Sequence, residues 1–352
     1  MFIDVIKVFL PTTSAFFIGI ALTPVLTHYL YKYKLWKKVA GKKSPSGGET
    51  PIFNKLHKDK EVGTPRMGGI IIWASTLSTI LLFRLMSEII SNDLTLKLDF
   101  LSRSQTWLPL FTLISASGLG LIDDIMQINT SDKIASAGLS FKNRLIAVLF
   151  IGLIGGWWFY TKLGIDFISI PFAGELYLGI WLIPLFALVM ISLFSSGVID
   201  GLDGLAGGVM AIIFSAYAGI AFFQNQVDLA AFSAVLAGAT LAFLWFNIPP
   251  ARFYMSETGI LGLTATLTVI AFLTDSVLFL PIIALPLVIT SLSVIIQLLS
   301  KKFRQGKKIF HIAPLHHHFE SIGWPAYKVV MRYWVISIIV AIIGMILVLM
   351  DK

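Results

Sequence analysis

Long apolar runs alternate with short polar stretches along this chain, at a spacing that matches the thickness of a membrane. Ten runs stand out, at about 10–30, 68–86, 107–122, 145–161, 177–194, 205–223, 229–246, 259–274, 276–299 and 333–350. Most approach the roughly 20 residues that carry a helix across a bilayer core. Backbone polar groups cannot stay unpaired in lipid, so each run is predicted to be helical. The third and eighth runs are short, and Pro281 and Pro286 interrupt the ninth. No internal repeat is present, and no polar stretch is large enough for a separate soluble domain. The expected fold is all-α: a polytopic integral membrane protein of about ten transmembrane helices, with 1–352 as a single membrane-embedded domain.

The polar positions set the orientation. With ten crossings, the loops at about 31–67, 123–144, 195–204, 247–258 and 300–332 share one side. They hold 21 of the 27 lysines and arginines, leaving Lys7, Arg84, Lys97, Arg103, Lys162 and Lys352 elsewhere. Basic loops stay in the cytoplasm, which puts both termini on the periplasmic or extracellular face. The first run is too long for a signal peptide and lacks a small-residue cleavage site, so it reads as a retained helix.

Composition supports a lipid-embedded chain. Residues are 57% hydrophobic and 13% charged, with mean hydropathy +0.85, whereas a soluble domain is about a quarter charged. The net charge of +8 could suggest a nucleic-acid partner. Its bases cluster between the apolar runs, however, and topology explains them without nucleic acid. Cysteine is absent, which excludes disulfides and thiolate metal sites.

Candidate chemistry gathers in the loops of the basic side. Asp123 and Asp124 end the third run in GLGLIDDIMQ. Carboxylates at the end of a lipid-embedded helix are costly and point to function. Adjacent helical residues diverge by about 100°, so only one of the two need face a site. A pair of interfacial carboxylates marking the membrane boundary fits the dipeptide as well. In GVIDGLDGLAGG, a spacing of three puts Asp200 and Asp203 on one helical face. Helix packing alone would explain the glycines there but not the two aspartates. The loop FNIPPARFYMSET carries Asn247, Arg252, Tyr254 and Glu257, with Tyr254 also readable as a headgroup anchor. HIAPLHHHFE places His311, His316, His317 and His318 beside Glu320. Consecutive side chains diverge, so one or two of these histidines are expected to reach a site. EVGTPRMGG opens the second run, where Thr64 and the glycines can bind an anion or simply cap the helix. Lys58, Lys60 and Arg66 beside it are either solvated or set against lipid headgroups. Carboxylates without sulfur ligands suit Mg²⁺ and substrate phosphates. Phosphoryl transfer at the membrane surface is the chemistry that this set favours.

GTPRMGG, the aspartate pair, DGLDGLAGG, FNIPPA and PLHHHFE, in this order, resemble the motifs of phospho-N-acetylmuramoyl-pentapeptide transferases. These belong to the wider superfamily of polyprenyl-phosphate N-acetylhexosamine-1-phosphate transferases. The resemblance runs from about Gly63 to Glu320, and PLHHHFE is specific to the muramoyl-pentapeptide branch. It implies transfer of phospho-N-acetylmuramoyl-pentapeptide from its UDP derivative to undecaprenyl phosphate, giving lipid I and UMP with Mg²⁺. It further implies a bacterial inner (plasma) membrane location, a cytoplasmic active site and a possible homodimer.

Carried over by motif, Asp123, Asp124, Asp203, His316, His317 and His318 are the catalytic candidates. Lys60, Thr64, Lys142 or Arg144, Asp200, Asn247 and Tyr254 are candidates for substrate, and Glu257 with Asp200 for the metal. The sequence departs from the family pattern at four places. Gly197-Val198-Ile199 stands for the usual Asn-Leu-Thr, and YMSE for FMGD, so Glu257 replaces a metal-binding Asp. Tyr254 replaces a Phe, and Arg66 the Thr of GTPTMGG. An N-acetylglucosamine-1-phosphate transferase, a transporter and an inactive homologue are the alternatives to this reading.

Overall fold

The computed structural model of the chain describes residues 2–38, 62–129 and 138–351. Among them, ten helical spans are long and apolar enough to cross a membrane, one for each apolar run. The protein is therefore a multi-pass membrane protein. In chain order the helices are α1 (Phe2–Lys32), α2 (Ile70–Ile90), the short α3 (Asp93–Leu98), α4 (Trp107–Asn129) and α5 (Phe141–Trp158). A two-stranded hairpin follows, β1 (Phe167–Ile170) and β2 (Gly174–Tyr177), then α6 (Leu182–Ser195), α7 (Leu205–Phe223), α8 (Val227–Asn247) and α9 (Ser256–Leu273). The last four helices are α10 (Leu280–Ile283), α11 (Leu285–Phe303), α12 (Leu315–Ser321) and α13 (Ala326–Met350).

Helices α7, α8 and α9 form the interior. α9 packs along α4 and α6, α8 lies between α1 and α7, and α13 covers α7. α9 is buried over nearly its whole length although it is rich in threonine. Two of these hydroxyls donate to carbonyls one turn back, Thr264 to Ile260 at 2.9 Å and Thr268 to Thr264 at 3.2 Å. This pairing lets a polar side chain survive in an apolar interior. The outer helices instead leave large apolar side chains exposed, such as Phe9 and Phe17 on α1, Phe150 on α5 and Ile339 on α13. On a membrane protein that is the surface lipid covers.

Three departures from the expected elements have local causes. α4 continues to Asn129, past the expected end at 122, so the aspartate pair lies inside the helix and not at its tip. The ninth run divides into α10 and α11, with Pro281 and Pro286 each in the first turn of its piece. A missing N–H costs nothing there, because first-turn donors lack intrahelical partners. The β1–β2 hairpin went unanticipated, since its strands are only four residues each. It is fastened at the end of the bundle where α9 and α13 finish. Asp275 accepts the Ser169 N–H at 3.0 Å, and Asp351 accepts the Phe172 N–H.

Candidate active site

At the other end of the bundle, α4 crosses the start of α9 at backbone distance. A Cβ on Gly120 would lie 2.2 Å from the Glu257 carbonyl oxygen, so only glycine permits this crossing. The close approach carries the next turn of α4 onto the first turn of α9, whose backbone N–H groups lack helical partners. Asp124 uses one of them, accepting the Thr258 N–H at 3.0 Å, and takes the Arg66 Nε at 3.2 Å on its other oxygen. Asp123 accepts Gln127 Nε2 at 2.8 Å and the Leu139 N–H, with Arg144 Nη1 at 3.6 Å. Arg144 Nη1 also donates to Glu257 Oε1 at 2.6 Å. Both aspartates are fully buried. Their divergence sends one to Arg66 and α9, the other to Arg144 and the chain before α5.

Buried carboxylates need partners, and here two guanidiniums serve three of them. Burial alone would lower the Arg66 guanidinium, but Asp124, Glu257 and Asp200 outweigh it and hold Arg66 above its ordinary value. From sequence alone Arg66 reads as a solvated or headgroup-facing base that replaces a family threonine. Its signal was an arginine directly before Met67-Gly68-Gly69, where the chain must pack closely.

The GTPRMGG stretch docks through its backbone. Tyr254 N–H donates to the Pro65 carbonyl at 2.9 Å, Gly68 N–H to Tyr254 at 2.8 Å and Gly69 N–H to Met255 at 3.1 Å. Thr64 is half-buried five residues before the N-cap of α2, which is Gly69 with no side-chain cap. The helix-cap reading of Thr64 is therefore replaced by a docked loop. Lys60, like Lys58 and Glu61, lies outside the described residues. Tyr254 is half-buried, while its neighbour Phe253 is wholly buried against Phe243 and Phe246.

Asp200 and Asp203 do not share a helical face. A 3-10 turn over Ser196–Ile199 ends at Asp200, and α7 starts only at Leu205, so both aspartates lie on a connecting turn. Three hydrogen bonds hold this turn, and a fourth braces Asn247. Asp200 Oδ2 accepts the Ser256 N–H at 3.0 Å. Asn247 takes the Gly204 N–H at 2.8 Å and gives its amide to the Phe253 carbonyl at 2.9 Å. Trp334 Nε1 donates to the Gly204 carbonyl at 3.2 Å. The imidazoles of His316 and His317 abut Gly201, where a Cβ would fall 2.3 Å and 2.9 Å from their Nε2 atoms. His317 Nδ1 meets Glu320 Oε2 at 2.7 Å, which directs Nε2 toward the turn. His318 turns elsewhere. Its Nδ1 accepts the His311 N–H at 3.3 Å, and burial together with His311 lowers its pKa.

The predicted residues thus form two groups. Asp123, Asp124, Arg144 and Glu257 make one; Asp200, Asp203, Asn247, His316 and His317 surround the other. The Asp200 bond to Ser256, next to Glu257, joins them. Lys142 is exposed, whereas Arg144 reaches the first group through Glu257, so Arg144 is the basic residue that enters. Among the described residues no three His, Asp or Glu side chains are set to hold a metal ion. An all-oxygen donor set still fits Mg²⁺, which takes one or two carboxylates and completes its shell with water and substrate phosphates.

Comparison with known proteins gives a consistent likeness. Residues 106–275 match glycosyl transferase family 4. The chain is 36% identical over 341 residues to the phospho-N-acetylmuramoyl-pentapeptide-transferase of Anoxybacillus flavithermus, covering 96% of this chain and 97% of that one. It is 34% identical over 335 residues to the Bacillus pumilus enzyme of that name, covering 94% of each. The Clostridium beijerinckii enzyme of that name is 34% identical over 343 residues, with 96% and 95% covered.

Proposed function

The chain belongs to the phospho-N-acetylmuramoyl-pentapeptide-transferase family, and from that premise we propose how its own residues carry the transfer. The enzyme moves phospho-N-acetylmuramoyl-pentapeptide from its UDP derivative to undecaprenyl phosphate, forming lipid I and UMP for peptidoglycan synthesis. One substrate is anchored in lipid and the other is soluble, so their phosphates meet at a membrane surface. The site faces the cytoplasm of a bacterial plasma membrane, the side on which the loops carry the bases.

A phosphate oxygen of the lipid attacks the sugar-linked phosphorus, and the bond to the UMP oxygen breaks. That phosphate monoester is already largely ionised at neutral pH, so the aspartates are needed less as bases than for position and charge. Asp123 and Asp124 orient the attacking phosphate from α4, through Arg144 and the Thr258 N–H. The turn bearing Asp200 and Asp203, braced by Asn247, receives the nucleotide sugar with Tyr254. His316 and His317 reach the pyrophosphate across Gly201, and Glu320 fixes the His317 ring. Glu257 and Asp200 would hold Mg²⁺, which when bound neutralises charge on the phosphates.

The observation carrying this reading is the meeting of the buried α4 aspartates, the 200–204 turn and the histidine helix at one end of the bundle. The test uses purified protein with undecaprenyl phosphate and either UDP-N-acetylmuramoyl-pentapeptide or UDP-N-acetylglucosamine, measuring UMP. Release with the pentapeptide substrate is expected, and Asp123→Asn, Asp203→Asn and His317→Ala should each lower it at least about 100-fold. UMP release with the plain sugar alone would overturn the muramoyl reading.

A further inference from the structure

Arg66 is the buried charge that the reaction above leaves unused. Its guanidinium meets Asp124 through Nε alone, at 3.2 Å. The side chain is 17% exposed while that of Asp124 is sealed at 0%. Asp124 also takes the Thr258 N–H on its other oxygen. A guanidinium carries five donors in a plane that matches a phosphate edge, and one N–H to a carboxylate uses little of that capacity. Asp124, Glu257 and Asp200 all act on the Arg66 charge. It therefore stands beside the carboxylates that the proposed site uses.

We propose that Arg66 is a diphosphate-binding residue, a resident cation tethered by Asp124 that lets the site take a nucleoside diphosphate with reduced need for a divalent ion. The inference rests on the nucleotide-sugar reading of the site. Arg66 holds one permanent positive charge beside the carboxylates, where lysine would offer a compact charge without the planar fork. Its positive charge weakens divalent-ion binding to these carboxylates while favouring the diphosphate itself.

The test measures binding of UDP to the full-length protein in detergent, in EDTA and in Mg²⁺, for wild type, Arg66→Lys, Arg66→Gln and Arg66→Gln/Asp124→Asn. Wild type should bind UDP in EDTA, and Arg66→Gln should weaken this by about 10- to 100-fold. The loss should shrink in Mg²⁺, with Arg66→Lys intermediate. The double variant leaves no uncompensated charge, so it should fold. If Arg66 merely neutralises Asp124, the double variant recovers wild-type binding in EDTA, and the proposal fails. Equal losses with and without Mg²⁺, no loss at all, or wild type needing Mg²⁺ to bind also overturn it. A wild type that binds UDP under neither condition removes the nucleotide reading instead.

Discussion

Charged side chains pair at both ends of the helix bundle, but their surroundings differ. At the end where α9 begins, Arg66 and Arg144 are 17% and 19% exposed, and the two aspartates that they face are at 0%. At the other end, Arg84 meets Glu88 and Asp99, and Lys97 meets Asp93, with the two bases about half exposed, while the single pair Lys7–Asp228 is 15% and 23% exposed. Exposed pairs gain little, because water screens them and long side chains lose freedom in forming them. Buried pairs cost more to assemble than an apolar filling of the same space would. A fold that needed only to cross the membrane would have no reason to bury two aspartates and gather Glu257 and two guanidiniums around them. The clustering of several carboxylates and guanidiniums, which separate pairs at the other end do not match, therefore supports the proposed placement of the chemistry.

Arg144→Gln should break this contrast most severely. It leaves Glu257 and Asp123 without their shared cation. Breaking such a pair costs on the order of 3 kcal/mol, toward the lower end of the range because Glu257 is partly exposed. Thermal unfolding in detergent should show a lowered midpoint, and UMP release should fall at least about 100-fold. Arg144→Gln/Glu257→Gln should recover most of the stability and none of the turnover. Recovery of both would make Arg144 a structural brace.

Ser256→Gly sharpens the contrast with a smaller effect of opposite sign. Ser256 has φ +59°, in the left-handed region, and its N–H is bound by Asp200. A side chain there costs about 1–2 kcal/mol relative to glycine. The YMSE stretch has serine where the family pattern has glycine, so the site holds a strained residue at the junction of its two groups. The variant should raise the unfolding midpoint. A lowered midpoint would mean that the serine hydroxyl contributes more than the backbone loses.

The ten spans were legible because hydrophobic run length is a direct physical requirement of lipid. The aspartate, histidine and Glu257 motifs were legible because charge beside apolar runs demands a cause. Three features were not. The turn carrying Asp200 and Asp203 reads as helix by spacing, since nothing local announces that Asn247 and Trp334 will hold it open from two other helices. The docking of residues 65–69 on 254–255 uses backbone atoms, which carry no sequence signal of their own. The roles within the triple histidine divide only once Gly201 approaches His316 and His317, leaving His318 to His311. Each of these depends on contacts between segments far apart in the chain.

The smallest expected effect belongs to Lys97→Ala. Lys97 bridges Asp93 at 2.7 Å within α3, but the two side chains are 49% and 80% exposed. An exposed pair of this spacing contributes about 0.5 kcal/mol at most, and less as salt rises. α3 has a stronger local support in its capping box, where Asn92 accepts the Thr95 N–H at 2.8 Å and Thr95 Oγ1 accepts the Asn92 N–H at 3.2 Å. Removing that cap with Asn92→Ala should cost about 1 kcal/mol, more than the ion pair. Lys97→Ala should therefore leave both the unfolding midpoint and UMP release within error of wild type, at low and at high salt. A clear loss of turnover would show that charge at this end is coupled to the site across the bundle, and the division of labour between the two ends would not stand.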